Sequence, residues 1–239
     1  MMTSPDNFEK RKEKWENKQD NRADSVRQAT FILTVKNALE LLSVKSGKVL
    51  DIGCGFGELA ILLARNTDFE ITGFDISKPA VEVARENVRK TGLEDRIKVE
   101  EGDVYCLKYD DCSFDVVVSF GYVSAATYRG AQKEIARVLK PGGILICDFI
   151  NCLSFYKIFS SLIRILKKNS PYYLSLPGIR REFEKEGLIF KRQSFFNTYP
   201  PLNLNLSPRI FLAFENTLGW LLKRCLARVR LVCFLSIRK

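Results

Sequence analysis

The sequence contains no histidine, only two methionines and two tryptophans, and seven cysteines that form no CxxC pair. The missing histidine excludes a His general base and any zinc site that mixes cysteine and histidine ligands. An odd number of cysteines without paired spacing indicates reduced core residues rather than a disulfide framework. We therefore predict neither a metal site nor structural disulfides.

Long apolar runs are also missing. Lys157 and Arg164 interrupt one candidate, and three charged side chains within residues 215–224 interrupt another. No segment therefore reaches the ~20 apolar residues that a transmembrane helix needs. Residues 1–18 are charged and lack the apolar region of a secretory signal. These features predict a cytoplasmic protein without a membrane span.

The positive charge is concentrated in the last third of the chain. Residues 1–28 carry 7 basic and 6 acidic side chains, and residues 29–150 carry 15 and 18. Residues 151–239 carry 16 basic and 4 acidic side chains, a net charge of +12. A length of 239 residues suits one α/β domain. We predict a charged arm over 1–28 and a single domain over 29–239.

Apolar periodicity alternates between that of strands and that of helices. The predicted strands are 48–52, 70–74, 97–101, 114–120, 144–150, 188–196 and 229–237. The predicted helices are 31–42, 59–65, 78–91, 131–139 and 178–186, and residues 141–143 form a predicted turn. This alternation predicts an α/β fold with a parallel sheet covered on both faces. Two basic amphipathic inserts, 151–176 and 197–226, flank the sixth strand.

A glycine-rich turn follows the first strand. Asp51 precedes Gly53, Gly55 and Gly57 in a GxGxG pattern, and Glu58 stands where a dinucleotide fingerprint needs glycine. Such a turn lets a ligand approach the backbone at a helix N-terminus. A carboxylate at position 51 would repel a pyrophosphate but would accept a hydrogen bond from an ammonium group. The turn therefore predicts a cofactor that carries an amino acid.

Acidic residues also follow the next two strands. Asp75 is placed to accept hydrogen bonds from both hydroxyls of a ribose. Asp103 offers an acceptor for an exocyclic adenine amine, and Val104 offers an apolar neighbour for the ring. Three strand ends thus address three parts of one nucleoside.

Together, VLDIGCGFG, GFDIS, EGDV and LKPGG resemble the motif series of class I S-adenosylmethionine (SAM)-dependent methyltransferases across about residues 30–150. The resemblance implies a seven-stranded Rossmann-like sheet, mostly parallel, whose last strand at 229–237 is antiparallel. It implies SAM as cofactor and S-adenosyl-L-homocysteine as product. The implied cofactor-binding residues are Asp51 at the amino group; Gly53, Cys54, Gly55 and Gly57 at the methionine moiety; Asp75 and Ile76 at the ribose; Asp103 and Val104 at the adenine; and Ser119 and Phe120 beside the sulfonium.

Methyl transfer from a sulfonium depends mainly on positioning, so a catalytic residue need not stand out. The fourth strand ends in Ser119-Phe120-Gly121-Tyr122 and lacks the Asn/Asp-Pro-Pro-Tyr/Phe pattern of amide and exocyclic-amine N-methyltransferases. The candidate acceptor-side bases are Asp148 and Tyr122. Two alternatives stay open: Asp148 as a cap of the following helix, and Tyr122 as a wall of the pocket.

The two inserts are the candidate acceptor site. Each insert combines an apolar face with basic side chains, and three roles fit this pattern. The inserts could be helices that pack on the sheet with their charges in solvent, segments that cover a bound apolar or anionic substrate, or a peripheral contact with a membrane surface. A small apolar, lipid-like or natural-product acceptor is favoured over nucleic acid, because no RNA-binding module or stacking platform is visible. The alternatives are a tRNA or rRNA methyltransferase and a non-catalytic SAM-binding subunit.

Overall fold

The structure is a computed structural model that describes residues 22–120, 128–150, 176–196 and 229–237. Its helices are α1 (Arg22–Leu41), α2 (Glu58–Asn66), α3 (Lys78–Thr91), α4 (Tyr128–Val138) and α5 (Leu176–Lys185). Its strands are β1 (Ser46–Ile52), β2 (Asp68–Asp75), β3 (Ile97–Glu101), β4 (Phe114–Ser119), β5 (Leu139–Ile150), β6 (Leu188–Phe196) and β7 (Val229–Ser236).

The strands form one sheet in the order β3-β2-β1-β4-β5-β7-β6. Strands β1 to β5 pair in parallel, and β7 runs antiparallel to both β5 and β6. The predicted α/β class and the antiparallel last strand are thus confirmed. The order reverses between β1 and β4, which is where ligands bind at the carboxyl ends of the strands of open α/β sheets.

The sheet has an apolar core on each face. One core packs the sheet against α1, α2 and α3, and includes Ala38, Leu63 and Ala84. The other packs it against α4 and α5, and includes Ile135 and Phe183. The central strands are buried on both faces because helices cover both, and this explains their nearly continuous apolar sequence.

Local sequence signals account for most element boundaries. Helix α3 begins after Ser77, whose hydroxyl accepts a hydrogen bond from the Ala80 amide, and ends at Gly92 with φ of 66°. A left-handed glycine after a helix is a common C-terminal stop. The bounds of α3, β3 and β6 coincide with those predicted from sequence.

Most other predicted bounds differ from the structure by one to three residues, and two differ by more. Helix α1 begins at Arg22 rather than Phe31, inside the predicted arm; its first nine residues contain neither glycine nor proline, so the helix continues there without an apolar period. Residues 141–143 belong to β5 instead of forming a separate turn. Phe114 pairs with Leu139 and Val116 with Ile144, so these residues form a bulge between two paired stretches.

No helix among the described residues has the length and hydrophobicity needed to cross a bilayer. Most of the predicted N-terminal arm and almost all of the two predicted inserts lie outside the described residues.

Candidate functional site

Asp51 is the most deeply buried carboxylate at the carboxyl ends of the strands. It is 1% exposed and pairs across the sheet with Gly73 of β2 and Val118 of β4. Its Oδ2 atom is buried and accepts no hydrogen bond within the structure as described. Burial, and secondarily the nearby charge of Asp75, raises the pKa of Asp51 from 3.8 to about 8. An unpartnered buried carboxylate indicates a missing cationic or hydrogen-bonding partner.

The glycine-rich loop after Asp51 turns sharply over the end of β2. Gly53, Gly55 and Gly57 have φ values of 74°, 55° and 79°, the left-handed region that favours glycine. The amides of Gly53 and Cys54 both donate to the Phe74 carbonyl, at 2.7 and 3.0 Å. The predicted GxGxG turn is therefore held directly against the second strand.

The glycines have different surroundings. A Cβ placed on Gly55 would meet no atom within 4 Å, so this backbone borders open space. A Cβ on Gly57 would lie 3.4 Å from the Cβ of Ala84 in α3. Gly55 therefore leaves room for a ligand, whereas Gly57 permits the loop to pack against α3.

Asp75 lies at the end of β2 and organises this loop. Its Oδ2 accepts from the Gly55 amide and its Oδ1 from the Ser77 amide, both at 2.9 Å. Its carbonyl accepts from Gly102 at 3.0 Å, which ties in the loop after β3. A carboxylate has about four acceptor positions, so each oxygen can accept one more hydrogen bond.

The predicted adenine residues follow β3. Asp103 is exposed, and its Oδ1 accepts from the Tyr105 amide at 3.0 Å. Val104 is 1% exposed and belongs to the core cluster that contains Phe74 and Leu107. The Asp103 carboxylate is thus accessible, while the Val104 side chain packs into the core.

Four further predicted residues lie around the same end of the sheet. Ser119 is fully buried and its hydroxyl donates to the Ile52 carbonyl at 3.2 Å, joining β4 to β1. Phe120 is partly buried against the core, and Ile76 is 46% exposed. Cys54 is buried, and burial raises the pKa of its thiol, so it is held as a neutral packing residue.

The structure describes one of the two candidate bases, Asp148, and not the other. Asp148 lies inside β5, paired with Leu231, and is one position past Cys147, which pairs with Ser119 at the end of β4. Tyr122 lies outside the described residues. A role in catalysis stays a prediction for both.

Three residues that shape the loop were missed by sequence reasoning. The Asn87 side chain of α3 donates to the Phe56 carbonyl at 3.0 Å. A Cβ on Gly73 would lie 3.2 Å from the Cys54 sulfur, and one on Gly102 would lie 2.5 Å from the Phe74 ring. Asn87 was detectable as a polar side chain on the inner side of an amphipathic helix. The close contacts of the two glycines depend on strand register, which the sequence does not reveal.

These features select the kind of ligand. Two neighbouring carboxylates lie at this end of the sheet: Asp75 at the Gly55 amide, and Asp51, whose buried Oδ2 accepts no hydrogen bond among the described residues. Together they would repel a phosphate. They suit an ammonium group at Asp51 and hydroxyl groups at Asp75. The amino acid and ribose of SAM present these groups, so the residues fit this cofactor.

Comparison with known proteins agrees with this geometry. Residues 49–143, which span the loop, Asp75, Asp103 and β4, match a family model described as a methyltransferase domain. Over this segment the chain is therefore similar to a methyltransferase domain. Its signature extends from β1 to the bulge in β5, so it contains every described residue predicted to bind the donor.

Two curated relatives resemble the chain over about the same segment. Over 114 residues the chain is 43% identical to the methyltransferase GfsG of Streptomyces halstedii, which covers 46% of this chain and 41% of the relative. Over 116 residues it is 38% identical to the demethylmenaquinone methyltransferase of Staphylococcus aureus, covering 47% of each chain. The matches thus span less than half the length of these relatives.

A solved structure extends the likeness over the whole fold. The magnesium protoporphyrin IX methyltransferase of Synechocystis, with bound S-adenosylhomocysteine, has a TM-score of 0.71 and covers 97% of this chain and 95% of its own. The identity is 16%, so the likeness concerns the fold.

Proposed function

We propose that this chain transfers the methyl group of SAM to a small apolar or lipid-like acceptor. One observation carries the donor half of this proposal: the Oδ2 of Asp51, just before the glycine loop, is buried near the charge of Asp75 and accepts no hydrogen bond among the described residues. That arrangement costs stability in the free protein and would be relieved by a bound ammonium group.

When bound, SAM would supply an activated methyl group on a sulfonium. Asp51 would hold the amino group, and the amides of the glycine loop would approach the carboxylate at the start of α2. The free acceptor positions of Asp75 would hold ribose hydroxyls, and Asp103 would face the adenine amine. The chain thereby orients the donor, and orientation can account for much of the rate.

The acceptor half rests on relatives and charge. The Staphylococcus relative is named for a quinone-type acceptor, demethylmenaquinone, and the Synechocystis structure for a porphyrin. Both names describe small acceptors with large apolar parts. The surplus of 16 basic over 4 acidic residues in 151–239 fits an acceptor presented at an anionic membrane surface. Proton removal from the acceptor, if the chemistry needs it, is assigned to Asp148 or Tyr122.

Donor binding is tested by calorimetry with cofactor-stripped protein, SAM and S-adenosylhomocysteine. Asp75→Ala should weaken both ligands at least about tenfold, because it removes the ribose acceptor and releases the Gly55 amide. Asp68→Ala is the matched control, because Asp68 is exposed at the opposite end of β2. Absence of affinity in the unaltered protein would overturn the donor assignment.

The acceptor is tested by transfer of labelled methyl groups from SAM into lipid, small-molecule and RNA fractions of a cell extract. Label in the lipid or small-molecule fraction supports the proposal. Label in RNA, retained with a steep salt dependence, identifies an RNA methyltransferase instead. Tight donor binding with no transfer to any fraction identifies a SAM-binding subunit.

A further inference from the structure

A second cleft lies away from the donor site, on the face of the sheet that α1 covers. It has a volume of about 410 Å³ and is bounded by Leu41 at the end of α1, by Ser43 just after it, and by parts of β5, β6 and β7. Its volume falls within the range of small-molecule sites, roughly 300–1,000 Å³. The strands that form it are two to four positions from β1, roughly 10–19 Å at normal strand spacing. It shares no residue with the donor loop.

Two cationic side chains, Lys191 and Arg192, line this cleft. Consecutive residues of a regular strand point to opposite faces. Here β6 has a bulge: Phe190 pairs with Phe234 and Arg192 with Cys233, so Lys191 is an additional residue. The bulge brings both cations to one cleft, and bulges often redirect side chains at functional positions.

Neither cation has an ion pair among the described residues. Both residues are exposed; Arg192 hydrogen-bonds the neutral Cys233 thiol, whose pKa burial raises, and Lys191 lies near the same thiol. By contrast, Arg137 on the opposite face of the sheet pairs with Asp111 and Glu134. The positive charge of the cleft is therefore uncompensated in this part of the molecule.

The rest of the lining is mainly apolar. Leu41 and Ile144 are each 5% exposed, and Leu235 packs partly buried against the same core. A ligand that matches both features has one anionic head and an apolar tail. An inorganic anion would leave the apolar lining exposed to water, and a neutral hydrocarbon would form no ion pair with Lys191 or Arg192.

From this charge and shape we propose that the cleft binds a soluble anionic amphiphile, with its phosphate or carboxylate head between Lys191 and Arg192 and its tail along Leu41, Ile144 and Leu235. The site is separate from methyl transfer and does not depend on it. Ordinary ion screening should make the affinity fall as the salt concentration rises.

The test is calorimetry on the full chain with octyl phosphate, inorganic phosphate and octan-1-ol. Octyl phosphate should bind, and both partial ligands should bind at least about tenfold more weakly. The double variant Lys191→Gln with Arg192→Gln should weaken octyl phosphate about tenfold while leaving SAM affinity unchanged. The double variant Lys98→Gln with Lys133→Gln, at two exposed lysines outside the cleft, controls for net charge.

Several outcomes would overturn the proposal. Equal binding by wild type and the cleft variant would show that the cations do not hold the head, and inorganic phosphate bound as tightly as octyl phosphate would show that the lining is unused. Binding only to phosphatidylglycerol vesicles would identify a membrane surface as the partner. If the cleft variant lost thermal stability but not binding, the two cations would instead stabilise the C-terminal end of the α1 dipole. Helix α1 has no basic residue of its own in its last turn.

Discussion

At the scale of single residues, Asp51 combines burial with an unused acceptor atom. Ionising it in the free protein places a charge next to Asp75 in a site with little water. Carboxylates with strongly perturbed pKa values cluster at functional sites, so the burial of Asp51 indicates that a ligand binds to it. The burial of the Asp51 carboxylate would then explain both the lower stability of the ligand-free protein and the affinity of the site for a cationic group.

The titration of Asp51 predicts a pH-dependent stability. The pKa of Asp51 is about 8 in the folded protein against 3.8 ordinarily, so the folded chain retains a proton that the unfolded chain loses. The free energy of unfolding should therefore fall as pH rises from about 4 to about 8, by at most about 1.4 kcal/mol per unit from this group. Denaturation at several pH values should show a smaller fall in Asp51→Asn.

Donor binding should show the opposite trend with pH. An ammonium group favours the ionised Asp51, so binding below pH 8 should release a proton and tighten as pH rises. Calorimetry in buffers of different ionisation enthalpy measures this release. Asp51→Asn should abolish the release and weaken binding, and an unchanged proton release in that variant would contradict the role of Asp51.

Gly55 and Gly57 form a matched pair for the donor loop. Each has a left-handed backbone, so alanine at either position should cost about 1–2 kcal/mol of stability. Only the methyl group of Gly55→Ala would enter the open space, whereas that of Gly57→Ala would face Ala84. Gly55→Ala should therefore lose about tenfold more SAM affinity than Gly57→Ala. Equal losses in the two variants would argue against a donor above Gly55.

At the scale of elements, hydrogen bonds made by side chains join the helices to the strands. Asn37 of α1 accepts from the Ser194 hydroxyl of β6 at 2.6 Å. Arg96, just before β3, donates to the carbonyls of Ala64, Thr67 and Phe69 at 2.9, 2.6 and 2.8 Å. Arg96 thus joins the start of β3 to α2 and β2 at the end of the sheet opposite the glycine loop.

Loss of the Arg96 contacts should be costly because three carbonyls would lose a charged donor. Arg96→Ala should lower the free energy of unfolding by about 2–4 kcal/mol. Arg96→Lys should be intermediate, since lysine lacks the planar fork of donors. The control is Arg89→Ala, whose side chain is 71% exposed and should change stability by less than about 0.5 kcal/mol. Chemical denaturation should rank the loss of stability as Arg96→Ala, then Arg96→Lys, then Arg89→Ala. Any other order would show that the Arg96 contacts contribute little to stability.

At the scale of the whole molecule, the donor should act as a stabilising ligand. Its proposed site is built from the ends of β1, β2 and β3, so binding should require the folded sheet. SAM at about 100 times its Kd should stabilise the fold by about 2.7 kcal/mol and raise Tm by roughly 5–10 °C. Thermal denaturation should show this shift in wild type and little of it in Asp51→Asn. An equal shift in both proteins would place the ligand elsewhere.

The sequence by itself determined the α/β class, the order of the elements and the position of the glycine-rich loop. These depend on local signals: apolar periodicity, the glycines at 53, 55 and 57, and acidic residues at strand ends. The predicted bounds failed where local signals were weak, at the start of α1 and at residues 141–143. There, strand pairing and helix propensity extended each element beyond its visible pattern.

The tertiary structure alone decided which groups meet. That Asp51 is unpartnered, that Asp75 holds the Gly55 and Ser77 amides, and that Val104 packs into the core all follow from strand register and burial. The cleft at Lys191 and Arg192 needs the β6 bulge and its antiparallel pairing with β7. Contacts between residues distant in sequence depend on strand order and register. Local sequence patterns do not specify strand order or register.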